Sequence, residues 1–134
     1  MSEIEFRAWH KPTKTMHRVL AIDWLNQMVD LDGGLIEQSS DDVVVEQYTG
    51  KDDKSGKPIY EGSIFGFDNI WLNNDVSDPQ EEHYVGVVKR DPNTGMWFVD
   101  CTKHKFYLGD AVESDSYGVI GNIHENPELL EAAK

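Results

Sequence analysis

The strongest constraint on this chain is how often it is interrupted. Apolar runs of strand length recur along it, and each meets a turn signal before it reaches helical length. Ile4, Phe6 and Ala8 alternate along Ile4–Trp9, so they share one face of a strand. Lys11-Pro12-Thr13 breaks that run. Met16 to Ile22 is a second run, and Gln27 to Leu31 is a third that meets the turn signal Asp32-Gly33-Gly34. Val43-Val44-Val45-Glu46-Gln47-Tyr48 is β-branched and reads as a strand. A polar loop, Asp52 to Pro58, follows. Beyond it lie Ser63–Phe67, His83–Lys89, Met96–Cys101, Phe106–Val112 and Tyr117–Ile123. Asp91-Pro92-Asn93-Thr94-Gly95 is a hairpin connection between two of these. Asp68 to Glu82 reads as a longer acidic connector, folded over because it carries Trp71. One helix is expected, at the C-terminus. Asn126 is placed to cap it, Pro127 suits its first position, and Leu129 to Ala133 are good helix formers.

These spacings predict a mainly β protein. An antiparallel β subdomain is expected over 1–50, and a second β region with the terminal helix over 51–134, either separate or merged in one compact unit. At 134 residues the chain suits one domain or two small ones. Hydrophobic residues at 39% and aromatics at 10% supply a core and argue against disorder. The 25 acidic residues against 12 basic ones give a net charge of −13. That balance argues against a protein built to grip phosphate backbones, and against a polybasic membrane anchor. The surplus collects in connectors. The first stretch runs the other way, with Arg7, Lys11, Lys14 and Arg18 against Glu3 and Glu5. The lone Cys101 permits no intrachain disulfide, which fits a reducing compartment. No signal-peptide pattern and no membrane-length apolar run is visible, so a cytoplasmic protein is expected.

Four strings carry a resemblance. They are Phe6-Arg7-Ala8-Trp9, then Gln47-Tyr48-Thr49-Gly50, then Asp53 through Gly62 (Asp-Lys-Ser-Gly-Lys-Pro-Ile-Tyr-Glu-Gly), and Val119 through Leu130. Together they resemble the YopX family of phage and prophage proteins over nearly the whole chain. The resemblance implies a mostly β protein whose C-terminal part is an SH3-like barrel, and a bacterial host cytoplasm. It implies no reaction and no catalytic residues. Two positions depart from the family pattern. Ser63 stands where Asp is usual after Tyr60-Glu61-Gly62, and His124 stands where an aromatic is common.

The shared strings read as structural. Gly50, Gly56 and Gly62 supply turns or close approaches. Tyr48 and Tyr60 each offer an apolar face and a hydroxyl. Gly121 marks a bulge or a tight packing site in the last strand. Asn126 and Pro127 explain the start of the terminal helix.

Candidate chemistry is sparse. Gly50 to Lys57 only superficially resembles a phosphate loop: the spacing is wrong, and Pro58 lacks both the hydroxyl and the N–H that loop requires. A calcium loop there would begin at Lys51 and end at Gly62, neither of which carries a carboxylate. Cys101 and His104 form a Cys-x-x-His pair, too few ligands for zinc. On one continuous strand they would point apart, whereas a turn at Thr102-Lys103 would bring them together. They read as a buried thiol and a solvated imidazole. His10 and His17 can approach across the first hairpin, but two histidines make a poor metal site. No cofactor is expected.

A non-enzymatic protein-binding or assembly module follows, with a homo-oligomer and a host or phage protein as expected partners. Nucleic-acid contact by a small barrel is the alternative. Trp71, Trp97, Lys103 and Lys105 are its candidate contacts, helped by Lys89 and Arg90. An acidic decoy of DNA is a further alternative. The net charge makes nucleic acid an unlikely main partner, and no membrane contact is expected.

Overall fold

The computed structural model describes residues 5–72, 79–101, 104–113 and 115–132, and their side chains except at 69–72, 79–82, 115–117 and 132. The chain is mainly β, in two antiparallel sheets with two short helices. It divides into two compact units, Met1–Gly50 and Lys51–Lys134.

In the first unit, β1 (Phe6–His10) pairs with β2 (Thr15–Asp23) in the register Arg7↔Arg18 to His10↔Thr15. Next, β3 (Met28–Leu31) pairs with β2 across a register shift between Val19 and Ala21, and β4 (Gln38–Ser39) pairs with β3. A 3-10 turn, Ser40–Asp42, opens with the Ser39 hydroxyl accepting the Asp41 N–H, satisfying an otherwise orphaned donor. β5 (Val43–Asp52) then returns to pair with β1. Strand alternation decides which face is core. Ala8, Val29, Leu31 and Val43 are buried together, with Val19, Ile22, Leu35 and Val45 against them. Arg7 and Glu46 are direct partners across β1 and β5 on the other face. There Arg7 Nε donates to Glu46 Oε1 at 2.9 Å.

The second unit begins at Lys51, and the chain turns through Asp53–Lys57, where the Asp53 N–H donates to the Lys57 carbonyl, into β6 (Pro58–Tyr60). β7 (Ser63–Leu72), β8 (Pro79–Arg90), β9 (Trp97–Cys101) and β10 (His104–Tyr107) form a meander. Helix α1 (Leu108–Glu113) leads to β11 (Asp115–Asn122), which pairs with β7, and α2 (Glu128–Ala132) follows. The order is β10-β9-β8-β7-β11. Ser63, Ile64, Phe65 and Phe67 are all buried, so the first half of β7 is covered on both faces. Phe67 stacks on Tyr84 with centroids 5.5 Å apart, and Phe106 meets Phe67 edge-on at 5.0 Å. Such aromatic pairs add about 0.5–1.5 kcal/mol each beyond burial.

Three expectations are corrected. Asp68 to Glu82 is no simple connector. β7 and β8 run on through it as a paired ladder from Asp68↔His83 to Leu72↔Pro79. Phe106–Val112 is not one strand: β10 ends at Tyr107, and a helix takes over, burying Leu108 and Ala111 one turn apart. The expected barrel is not closed among the described residues, because β10 and β11 stand at the two edges of an open five-stranded sheet.

Candidate functional site

Among the described residues, the most exposed large apolar side chains lie at the tip between β2 and β3. Trp24 is 78% exposed and Leu25 90%, and Leu20, Met28 and Ile36 are also exposed in the same unit. Large apolar side chains this exposed are unusual where a turn needs only polar residues. The turn itself is well made without them. The Asp23 carboxylate accepts the Asn26 N–H at 3.0 Å and the Asn26 side-chain amide at 2.8 Å. The Asn26 side-chain hydrogen bond, then its backbone N–H, holds the Asp23 carboxyl below the usual carboxylate range. Beside the tip is a hollow of about 320 Å³, lined by Ile22, Trp24, Met28, Val29 and Val45 among others. A rigid turn thus presents a knob, Trp24 and Leu25, next to a mostly apolar hole.

The shared strings are structural staples. Gly50, Gly56 and Gly62 all have positive φ (86°, 89° and 84°). Buried Asp53 organises the loop: Oδ1 accepts the Ser55 N–H, the Ser55 hydroxyl and the Lys57 N–H, and Oδ2 accepts the Val119 N–H of β11 at 3.0 Å. Burial opposes ionisation of this carboxyl, but the bonds from Val119, Ser55 and Lys57 outweigh it and hold Asp53 below the usual range. A Cβ on Gly118, whose φ is +81°, would strike the Asp53 carboxylate. Ser63 Oγ accepts the Tyr60 N–H at 3.1 Å. A hydroxyl or a carboxylate can do that, so Ser serves where Asp is usual. Tyr48 and Tyr60 are half-buried.

The last string is a second staple. Asn122 Oδ1 accepts the N–H groups of His124 and Glu125, and Asn122 Nδ2 donates to Glu125 Oε1. Gly121 sits at a register shift, and a Cβ there would lie 2.5 Å from Asn126 Oδ1. The Asn126 side chain does not cap the helix. It turns back to accept the Asn122 N–H at 3.3 Å, while its backbone carbonyl takes the Leu129 N–H. Pro127 directly precedes α2, and its carbonyl accepts the Leu130 N–H.

The candidate contact residues are scattered. Lys103 and the side chain of Trp71 lie outside the described residues. Trp97 packs on the core of the second unit. Lys89 is bound to Asp100 at 2.8 Å. Lys105 sits 5.5 Å over the Phe98 ring and lines an open hollow of about 470 Å³ with Asp91, Met96, Phe98 and Tyr107. Cys101 and His104 are direct partners across β9 and β10, which sets them opposite each other. Burial, then the Asp100 charge, pushes the buried Cys101 thiol up to about 11. It stays protonated at neutral pH, which disarms it as a nucleophile.

His10 and His17 do approach, with ring centroids 6.3 Å apart. A chain of hydrogen bonds joins them. His10 Nδ1 meets Thr13 Oγ1 at 2.7 Å, Thr13 Oγ1 meets Thr15 Oγ1 at 2.6 Å, and Thr15 Oγ1 meets His17 Nε2 at 2.6 Å. His17 Nδ1 lies 3.0 Å from Asp32 Oδ1. Asp32, His17 and Thr15 thus have the connectivity of a nucleophilic triad. The Thr15 hydroxyl, however, is also bound by Thr13 rather than turned to an open position. Among the described residues no group of three or more His, Cys, Asp or Glu could hold a metal ion. Among them, too, no helix is long and apolar enough to cross a membrane.

Sequence reading missed the knob. Its signal was present: Trp24-Leu25 lies between two strand runs, where Gly, Asn or Asp is ordinary.

Comparison with known proteins places this arrangement in a family. No curated protein matches the chain. A solved structure, the crystal structure of protein EF1440 from Enterococcus faecalis, is similar to it at a TM-score of 0.68 and 27% identity, covering 97% of this chain and 99% of that one. The family model described as YopX protein matches residues 5–131. With the match running from β1 into α2, the chain belongs to the YopX family.

Proposed function

We propose that this chain is a non-enzymatic association module that pairs with a second copy of itself through the β2–β3 tip. One observation carries the reading: the Trp24–Leu25 knob and a mostly apolar hole lie side by side on the first unit, the hole walled by the β2–β3 hairpin together with Ser40 and Val45. A surface holding both halves of a contact is self-complementary, as a two-fold interface requires. Burying Trp24 and Leu25 contributes about 1.5–3 kcal/mol per side chain, a sum that sets the gain against the cost of association.

The second unit is read as an SH3-like barrel left open along one seam. Its last strand returns beside its first, with a short helix before it, as in that fold. Phage or prophage origin, a cytoplasmic site of action and a host or phage partner belong to the same reading. The nucleic-acid alternative has less behind it, because Trp97 faces the core and Lys89 is held by Asp100.

Sedimentation velocity over a micromolar concentration series tests the self-pairing. The wild type is expected to be dimeric or larger with a melting temperature that rises with concentration, and Leu25→Asp to be a folded monomer whose melting does not depend on concentration. A strictly monomeric wild type overturns the reading.

A further inference from the structure

We propose that His10 and His17 form a single proton-binding site, in which the hydroxyls of Thr13 and Thr15 are fully bonded only when the pair carries one extra proton. Hydrogen-bond counting supports this. Gln38 Nε2 donates to the Ile36 carbonyl at 2.9 Å, which turns Gln38 Oε1 to His10 Nε2 at 2.8 Å. A carbonyl only accepts, so His10 Nε2 carries a hydrogen. At the other end Asp32 Oδ1 accepts the Arg18 N–H at 3.2 Å and faces His17 Nδ1 at 3.0 Å. A carboxylate also only accepts, so His17 Nδ1 carries a hydrogen. Two neutral rings therefore point lone pairs inward, from His10 Nδ1 and His17 Nε2.

Three short links span the gap between those lone pairs. Each needs one hydrogen, and the two hydroxyls supply two. A third, on either ring, completes all three. Its passage balances: His17 Nε2 gives its proton to Thr15 as Thr15 gives its own to Thr13, and Thr13 gives its own to His10 Nδ1. Without that proton, two lone pairs meet at hydrogen-bond distance. A second extra proton leaves one hydroxyl hydrogen unused and sets two cations 6.3 Å apart.

His10 is 3% exposed, so water cannot readily replace its own links to Thr13 and Gln38, whereas the Thr13–Thr15 link lies at the surface. The other charged groups on these elements are Arg7 in β1, Lys11 and Lys14 in the β1–β2 turn, Arg18 and Asp23 in β2, Glu37 before β4, and Asp41 and Asp42 before β5. Of these, Lys11 Nζ is held by the Asp41 carbonyl at 3.1 Å. The site ties the first hairpin to β4 through the His10–Gln38 bond, which keeps its hydrogen in either state.

Nitrogen-15 NMR of histidine-labelled full chain, titrated with pH, tests this. The long-range imidazole spectrum reports which ring nitrogens carry hydrogen. The expected result is that His10 Nε2 and His17 Nδ1 stay protonated while the two rings share and then release one proton together. Thr15→Val should uncouple the rings, and Thr15→Ser should restore the coupling. Rings that titrate independently in the wild type, or a neutral His10 with hydrogen on Nδ1, overturn the proposal. If Thr15→Val does not fold, the wild-type and Thr15→Ser spectra still decide.

Discussion

At the scale of single residues, Asp53 carries the most structure per atom. It closes its own loop and ties that loop to β11 through the Val119 N–H. Asp53→Ala removes the shared acceptor of four partly buried hydrogen bonds and should cost about 3 kcal/mol, measured by urea unfolding. The folded carboxyl sits below its ordinary value. Its contribution is therefore intact above about pH 4 and lost as the pH falls through the lower folded value, a slope that Asp53→Ala should flatten. Gly118→Ala should cost about 3 kcal/mol as well, because it strains a positive φ and displaces the same carboxylate. Cys101 makes a second pH-linked prediction. With its thiol raised to about 11, its reaction with a disulfide reagent near pH 8 should be slower by more than about 100-fold in the folded than in the unfolded chain. Equal rates would show an accessible thiolate.

At the scale of elements, legibility followed polarity. Strands with an apolar face were plain in the sequence, since alternation along Phe6–Ala8 and the valines of β5 can be satisfied only by a half-buried sheet. The ends of β7 and β8 were hidden. Asp68, Asn69, Glu81 and Glu82 look like loop residues, yet each meets a cross-strand partner in one long ladder. Helix α1 was hidden for the opposite reason. Leu108-Gly109-Asp110-Ala111-Val112 carries a glycine and a valine, poor in helices, and follows strand residues without a break. Only the i, i+3 burial of Leu108 and Ala111 marks it. The tip of β2–β3 makes the element-scale prediction. Because Trp24 and Leu25 leave the core untouched, Leu25→Asp should keep the stability of the monomer within about 0.5 kcal/mol, as thermal unfolding at concentrations too low for self-pairing would record. A large loss would mean that the tip packs internally.

At the scale of the whole molecule, two cores differ in size. The second unit buries Phe65, Phe67, Tyr84 and Leu108 among others, while the first relies on Ala8, Val29, Leu31 and Val43. Buried apolar area sets most of local stability. Amides of β1 to β4 should therefore exchange with deuterium faster than those of β7 to β9. Uniform protection would mean that the units unfold as one.

By itself the sequence determined the β class, the turn positions and the family, because side-chain alternation, β-branching and glycine placement are local properties that survive without a fold. Tertiary structure alone decided the rest. It left the second sheet open, set Cys101 opposite His104, strung two hydroxyls between two histidines, and put Trp24 and Leu25 in water. Each of these depends on register, where a shift of one residue reverses every side chain, and register is fixed by long-range pairing rather than by any short stretch of sequence.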